Sequence, residues 1–441
     1  MPAGRPLTIP SLPATIDVRA EWKQIYHETW RLQRDLFYAA NYNGLDLAKT
    51  EAMYAPFVAG LGSRTDLTYL MREMLSNLSV SHLAVNDPPA DDATGGGRGR
   101  GGGRGAGAEP SGRAGVLGVD VTVDRDRYRI SRIYRGDVWL GGTMGPLAAP
   151  GVDAHEGDYL RSIDGHEITA TDNIDRMLDG TAGRAIQLGI SKDPSGDIRT
   201  VAVTPAANDG ALRLAATIED ARATVDKMSG GKLAYVYVAN TGNEGYDGFV
   251  RQYLAQVGKS GVIVDERNNG GGQVADYIID ALRRIPLVQM APRYGENFAL
   301  PMDAIYGPRT MMINEHAGSG GDILPYMFKK YGVGKLVGKR TWGGTIGSGQ
   351  VPQLIDGGTI SVPHFPIADP DGLWGMEGEG VHPDVEVELD PKAFAAGRDT
   401  QLEAAIKLTL AELKAHPPKQ VKRPPPRTRQ GKADVPRPIV P

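Results

Sequence analysis

Between residues 233 and 331, short apolar runs alternate with longer amphipathic ones. Residues 233–238 precede 246–257, residues 261–265 precede 274–284, and residues 310–313 precede 322–331. The short runs suit strands and the long ones suit helices. A strand that returns to its sheet in the parallel sense needs a crossover helix, so the alternation predicts a layered α/β domain with a mostly parallel sheet. We place this domain at 210–392, with a further short strand at 359–362 and a loop at 375–384.

The third strand-to-helix passage is the tightest, reading Ala317-Gly318-Ser319-Gly320-Gly321. A serine on such a turn is lifted out of the sheet, and the helix N-terminus directs partial positive charge at whatever binds there. Ser319 is therefore a candidate nucleophile. The same residues also suit a glycine-rich turn whose serine merely caps a helix, and the turn alone does not separate the two readings. A nucleophilic serine needs a base, a group that orients the base and oxyanion donors. The chain has eight histidines. His27 falls in a helical stretch, His155 and His166 in a β-rich one, His364 and His382 in strand-end loops, and His416 near the C-terminus. His316 lies close to Ser319 in sequence. His82 stands apart because it follows Ser81 at the exit of a helical unit, among small and apolar residues.

The rest of the chain divides by composition. Residues 18–87 read as a helical subdomain: Trp22, Ile25, Tyr26 and Trp30 recur at helical spacing, and Thr65 opens a second helix with Asp66 in its first turn. Residues 78–85 read as a short strand or extended exit. Residues 88–112 are a glycine- and arginine-rich linker expected to be flexible. Residues 113–206 are β-rich, with strands ending at the Asp164-Gly165 turn and at 185–190 and 199–203, and a short helix at 170–180. Residues 416–441 are rich in proline and basic residues and are expected to be extended or disordered. The predicted whole is a multidomain α+β protein.

A net charge of −4 and arginines without interleaved aromatics argue against nucleic acid as a partner. No apolar run is long enough for a membrane helix, so no membrane insertion is expected. With no cysteine, disulfides, zinc–thiolate sites and cysteine nucleophiles are excluded. His316 with Asp322 and His364 with Asp369 are isolated pairs, so no metal is expected, and no cofactor. The N-terminus lacks a secretion signal, which points to the cytoplasm, or to the periplasm or exterior if a leader has been removed.

Five ordered motifs carry a family resemblance from residue 18 to about 392: WRLQRDLFYAANYNGLDL, LMREMLSNLSVSHLAV, DERNNGGG, NEHAGSGGD with GKRTWGG, and EGEGVHPD. The chain resembles the C-terminal half of the tricorn proteases, within the tail-specific serine proteases of family S41. The resemblance implies a helical subdomain, a PDZ domain and a crotonase-like α/β subdomain, in that order. It implies a tetrad of Ser319 as nucleophile, His82 as base, and Ser81 with Glu377 as the relay that orients the imidazole; Glu379 competes for the last role. Oxyanion donors would be the amide of Gly320 and one from the Gly270-Gly271 turn. In the PDZ domain, Leu117, Gly118 and Val119 match the loop whose amides hold a peptide C-terminus.

The family's other branch uses a serine–lysine dyad, but the matching position here is Gly344. Two departures stand out. The family's aspartate after the serine is Gly320 here, and the specificity segment 290–298 offers only Glu296 as an acid. The resemblance implies peptide substrates and a homo-oligomer, trimeric or hexameric. Two other readings are a catalytically weak PDZ scaffold that binds peptides, and an acyl-CoA enzyme suggested by fold shape alone.

Overall fold

The computed structural model describes residues 15–88, 114–137, 144–349, 351–372, 374–418 and 425. The linker expected at 88–112 falls outside this set after residue 88, as does most of the tail expected at 416–441. The chain forms two compact units, Met1–Asp220 with Thr341–Val381 and Ala221–Arg340 with His382–Pro441.

The first unit begins with helices Val18–Leu36, Leu47–Tyr54 and Arg64–Ser76. Asp17 caps the first, accepting from the amides of Arg19 at 3.0 Å and Ala20 at 3.2 Å, and Ser63 with Asp66 forms a capping box on the third. Trp22, Ile25, Tyr26 and Trp30 pack with Leu67, Met71 and Leu75, and the core is completed by Leu354, Ile360 and Val362 from far along the chain. Val85 pairs with Ile360 and Asn86 with Thr359, while Gln33 Nε2 donates to the Ser361 carbonyl at 3.0 Å. Residues 341–381 thus interrupt in space the subdomain expected at 210–392. Their strands are only two to four residues long and find their partners through long-range pairing, which a local hydrophobic period does not reveal.

The β-rich stretch forms an antiparallel sheet in the order Val119–Asp124, Arg127–Ile133, Tyr159–Ile163, Ile186–Ser191, Arg199–Val203, with His166–Glu167 beside the third. Ile130, Leu160, Leu188 and Ile190 fill its core. The helix expected at 170–180 is only Ile174–Met177, capped by Asn173 and followed by a left-handed Gly180 at φ 69°.

The second unit contains a five-stranded parallel sheet in the order Val385–Glu386, Lys335–Gly338, Arg309–Ile313, Gly261–Asp265, Leu233–Tyr237. Helices Asn243–Leu254, Ala275–Leu282 and Gly320–Lys330 alternate with the strands, as the sequence pattern predicts. Helices Gly210–Ser229, which runs from the first unit into the second, Pro391–Ala395 and Thr400–Ala415 were not anticipated. The last packs on the sheet, where Thr409 Oγ1 gives its proton to the Ala405 carbonyl at 2.7 Å and accepts from Thr310 Oγ1 at 2.7 Å. The chain is thus a mixed helix-and-sheet protein with its parallel sheet in the second unit.

Candidate active site

In the first unit the structure brings Ser81, His82 and Glu377 together. The Ser81 hydroxyl lies 2.9 Å from His82 Nδ1 and donates to Glu377 Oε2 at 3.1 Å, while the Ser81 amide donates to Glu377 Oε1 at 2.8 Å. Glu377 Oε2 also accepts from the Thr345 amide at 2.7 Å and the Ile346 amide at 3.0 Å. Every one of these contacts gives the carboxylate a donor. The single proton of the Ser81 hydroxyl is committed to Glu377, so the hydroxyl oxygen accepts from His82 Nδ1–H, and the network assigns the basic lone pair to Nε2. That is the tautomer a general base requires.

Glu377 reaches this position because its loop is wound tightly, with Met376, Gly378 and Gly380 all at positive φ. The Gly378 amide donates to the Gly343 carbonyl at 2.8 Å and the Thr341 amide to the Val381 carbonyl at 3.1 Å, clasping the two loops. Gly380 is needed there, because a β-carbon would fall 2.3 Å from the Thr341 carbonyl oxygen. Glu377, rather than Glu379, meets Ser81. One neighbour escaped the sequence reading: the Trp342 ring lies beside His82, centroids 5.5 Å apart and planes at 47°. An aromatic residue beside the GKR segment was its only signal.

In the second unit Ser319 sits between strand Arg309–Ile313 and helix Gly320–Lys330 with φ 59° and ψ −116°. Helix caps ordinarily take extended backbone. A non-glycine residue held at positive φ costs about 1–3 kcal/mol and persists where the surroundings enforce it. Here Asp322 accepts the Ser319 amide at 2.9 Å as part of a capping box, and the Gly318 amide donates to the Asn269 carbonyl at 3.1 Å. Gly320 is enforced by crowding, because a β-carbon would lie 1.9 Å from Thr241 Oγ1 and 2.4 Å from the Gly272 carbonyl oxygen. The departure from aspartate after the serine thus follows from this chain's own packing.

Both amides of the Gly270-Gly271 turn have acceptors within the protein. The Gly270 amide donates to the Ala239 carbonyl at 3.1 Å, and the Gly271 amide to Asn269 Oδ1 at 2.9 Å. Asn269 captures the amide two residues ahead, a habit of asparagine side chains in turns. Gly271 still packs against the turn, where an added β-carbon would lie 2.7 Å from Ser319 Cβ. The Gly320 amide stands at the first position of the helix, where amides have no intrahelical acceptor.

Elsewhere, Leu117, Gly118 and Val119 line a groove of 480 Å³ together with Tyr128, Ile174 and Leu178. Glu296 is exposed beyond strand Val288–Met290. His27, His155, His316 and His416 are exposed beside carboxylates, His166 and His382 are exposed, and His364 Nδ1 accepts the Gly349 amide at 3.1 Å. Among the described residues no cluster of three or more His, Cys, Asp or Glu is placed to hold a metal, and no helix is long and apolar enough to cross a membrane.

Three family models match in order: the tricorn protease C1 domain over residues 18–76, the tricorn protease PDZ domain over 115–208, and peptidase family S41 over 232–387. Tricorn protease homolog 1 of Streptomyces coelicolor is 35% identical over 406 residues, covering 92% of this chain and 36% of that protein. Tricorn protease of Thermoplasma acidophilum is 32% identical, covering 91% of this chain and 36% of that protein. A crystal structure of the tricorn protease superposes with a TM-score of 0.79 at 31% identity, covering 90% of this chain and 37% of the solved one. The chain therefore spans little more than a third of the length of these relatives.

Proposed function

The chain belongs to the tricorn branch of peptidase family S41, and from that premise we propose that it hydrolyses peptide bonds in oligopeptides or unfolded segments through Ser319, His82, Ser81 and Glu377. The Ser319 hydroxyl oxygen attacks the scissile carbonyl carbon and His82 Nε2 takes its proton. The tetrahedral intermediate collapses as the C–N bond breaks and His82 returns that proton to the leaving amine. A water molecule then repeats the sequence on the acyl-enzyme and frees Ser319. The Gly320 amide serves the developing oxyanion. The imidazolium that forms is stabilised through Ser81 by the Glu377 carboxylate, the part aspartate plays in a serine–histidine–aspartate triad.

The observation that carries this reading is the Ser81 hydroxyl bridging His82 Nδ1 and Glu377 Oε2. A structural hydrogen bond has no need to fix which imidazole nitrogen is basic, whereas a base does. We read the parallel sheet of the second unit as the crotonase-like catalytic layer. The groove at Leu117, Gly118 and Val119 receives a peptide C-terminus, and the chain works as a homo-oligomer. The test is cleavage of a mixed peptide library with fluorophosphonate labelling. We expect wild-type protein to cleave and to be labelled at Ser319, and Ser319→Ala and His82→Ala to lose cleavage. Full activity in both variants overturns the proposal.

A further inference from the structure

Beneath the serine turn lies a carboxylic acid that the reaction does not use. Glu266 follows strand Gly261–Asp265 and is fully buried, as are Asn269 and Asp322. Its Oε2 accepts from Asn269 Nδ2 at 3.1 Å, while its Oε1 has no hydrogen-bond partner. The backbone reinforces the pair, with the Asn269 amide donating to the Glu266 carbonyl at 2.9 Å and the Glu266 amide to the Met312 carbonyl at 3.1 Å.

Asn269 is the joint between the two loops of the site. Its side-chain oxygen holds the Gly271 amide and its carbonyl holds the Gly318 amide, the residue before Ser319. A β-carbon on Gly321 would lie 2.8 Å from the same carbonyl oxygen, so the helix start is pressed against Asn269 as well. The orientation of the Asn269 carboxamide is therefore felt at the triple-glycine loop and, through the backbone it shares, at the serine turn. Glu266 Oε2 fixes that orientation, because a carboxamide that gives Nδ2–H to Glu266 must turn Oδ1 toward Gly271.

We propose that Glu266 is a positioning residue for the nucleophile turn, acting as an acceptor that locks the Asn269 carboxamide and through it the Gly271 and Gly318 anchors. This inference rests on Ser319 being the nucleophile. Burial, with the facing carboxylates of Asp322 and Asp265 adding to it against the Asn269 hydrogen bond, holds the Glu266 carboxyl group well above the usual range. Asp265 is paired with Arg267 at 2.6 Å, and Asp322 holds the Ser319 amide at 2.9 Å.

Two substitutions separate this role from simple core filling. Glu266→Gln keeps a carbonyl oxygen at the same reach and carries no charge. Glu266→Asp retracts the acceptor by one methylene. We expect Gln to retain kcat within about twofold, and Asp to lower kcat by about tenfold or more with KM little changed, since a misplaced turn weakens chemistry more than binding. The amide protons of Gly271 and Gly318, followed by hydrogen exchange in a Ser319→Ala background, should exchange slowly beside Glu or Gln and faster beside Asp. That readout needs no turnover. If wild-type protein neither cleaves peptides nor takes up fluorophosphonate, the peptidase reading fails while the exchange data still judge the clamp. Unchanged exchange and unchanged kcat in a folded Glu266→Asp protein overturn the inference, as does a Gln variant as impaired as Asp.

Linkage adds a second signature. A buried acid with a raised folded-state pKa contributes stability that is fully present below the unfolded value and is lost as pH rises toward the folded one. The melting temperature of Glu266→Gln should therefore gain on wild type as pH rises above 4.5, the ordinary value for glutamate. Parallel pH profiles for the two proteins would show that Glu266 is not held neutral, and would overturn that part of the assignment.

Discussion

The indole of Trp342 occupies the space that a β-carbon on Gly344 would need: Cζ3, Cε3 and Cη2 lie 2.2, 2.4 and 2.6 Å from that point. By the motif resemblance, Gly344 also falls where the serine–lysine branch would place its lysine base. The two facts are linked in this chain, since a lysine there would begin inside the ring that flanks His82. We expect Gly344→Ala to push the indole aside and to lower kcat/KM by about 10–100-fold, the scale on which small misplacements of catalytic groups act. Trp342 is half exposed, so its displacement should also appear in tryptophan emission. Gly344→Lys should not restore cleavage to His82→Ala, and recovered activity in that double variant would refute the packing argument.

The Glu377 carboxylate accepts from Ser81 through both backbone and side chain and from the amides of Thr345 and Ile346. Glu377→Gln places an N–H₂ group against donors at one of its two ends. Loss of the imidazole's orientation should lower kcat by about 10²–10⁴-fold, as amide substitution of a triad carboxylate does. Ser81→Ala removes the bridge but leaves the carboxylate held by backbone amides, so its loss should be smaller. Glu379→Gln should stay within about threefold of wild type, in keeping with surface changes away from the reacting groups. Steady-state kinetics on one peptide substrate ranks the three, and a Glu379 variant more damaged than the Glu377 variant would reverse the assignment.

Ser319 at φ 59° and ψ −116° carries a backbone strain that glycine would not feel. Ser319→Gly should abolish turnover and raise the melting temperature, because relieving about 1–3 kcal/mol of strain outweighs the few tenths lost when glycine replaces serine as a cap. Ser319→Ala should abolish turnover without that gain, since alanine keeps the β-carbon. Calorimetry on the two inactive proteins decides between them. Equal midpoints would mean that the turn stores no strain.

The parts of this molecule that were legible in sequence are those with a local period or a motif of fixed spacing. The alternation at 233–331 announced the parallel sheet, and Ser81, His82 and Glu377, which the structure brings together, were picked out by the resemblance of five motifs rather than by geometry. What stayed hidden is what long-range partners decide. Leu354, Ile360 and Val362 complete the core of helices that end near residue 76, and nothing in their neighbours says so. The Gly270 and Gly271 amides looked available because a glycine loop shows its backbone, but Asn269, two residues earlier, takes the Gly271 amide. Trp342 is read as an aromatic beside glycines until its ring is seen against His82.

Helix Thr400–Ala415 is the largest element beyond the expected end of the catalytic domain, and its packing gives a stability prediction of its own. Leu402, Ala405 and Ile406 are buried against the sheet at 2%, 0% and 1% exposure, and Thr409 bonds Thr310 on the central strand. The helix start is tied to the site loop by Arg267, which bonds Asp265 and reaches Asp399 Oδ2 at 2.8 Å and Gln401 Oε1 at 3.0 Å. Ile406→Ala removes buried methyl groups from a packed interface and should cost about 2–5 kcal/mol. Thr409→Val strands the Thr310 hydroxyl in an apolar setting and should cost about 1–3 kcal/mol. Because the helix packs on strands Arg309–Ile313, Gly261–Asp265 and Lys335–Gly338, we expect the Ile406 variant to keep its KM at low temperature while its denaturant midpoint falls. An unchanged midpoint would mean that the helix lies on the sheet without stabilising it.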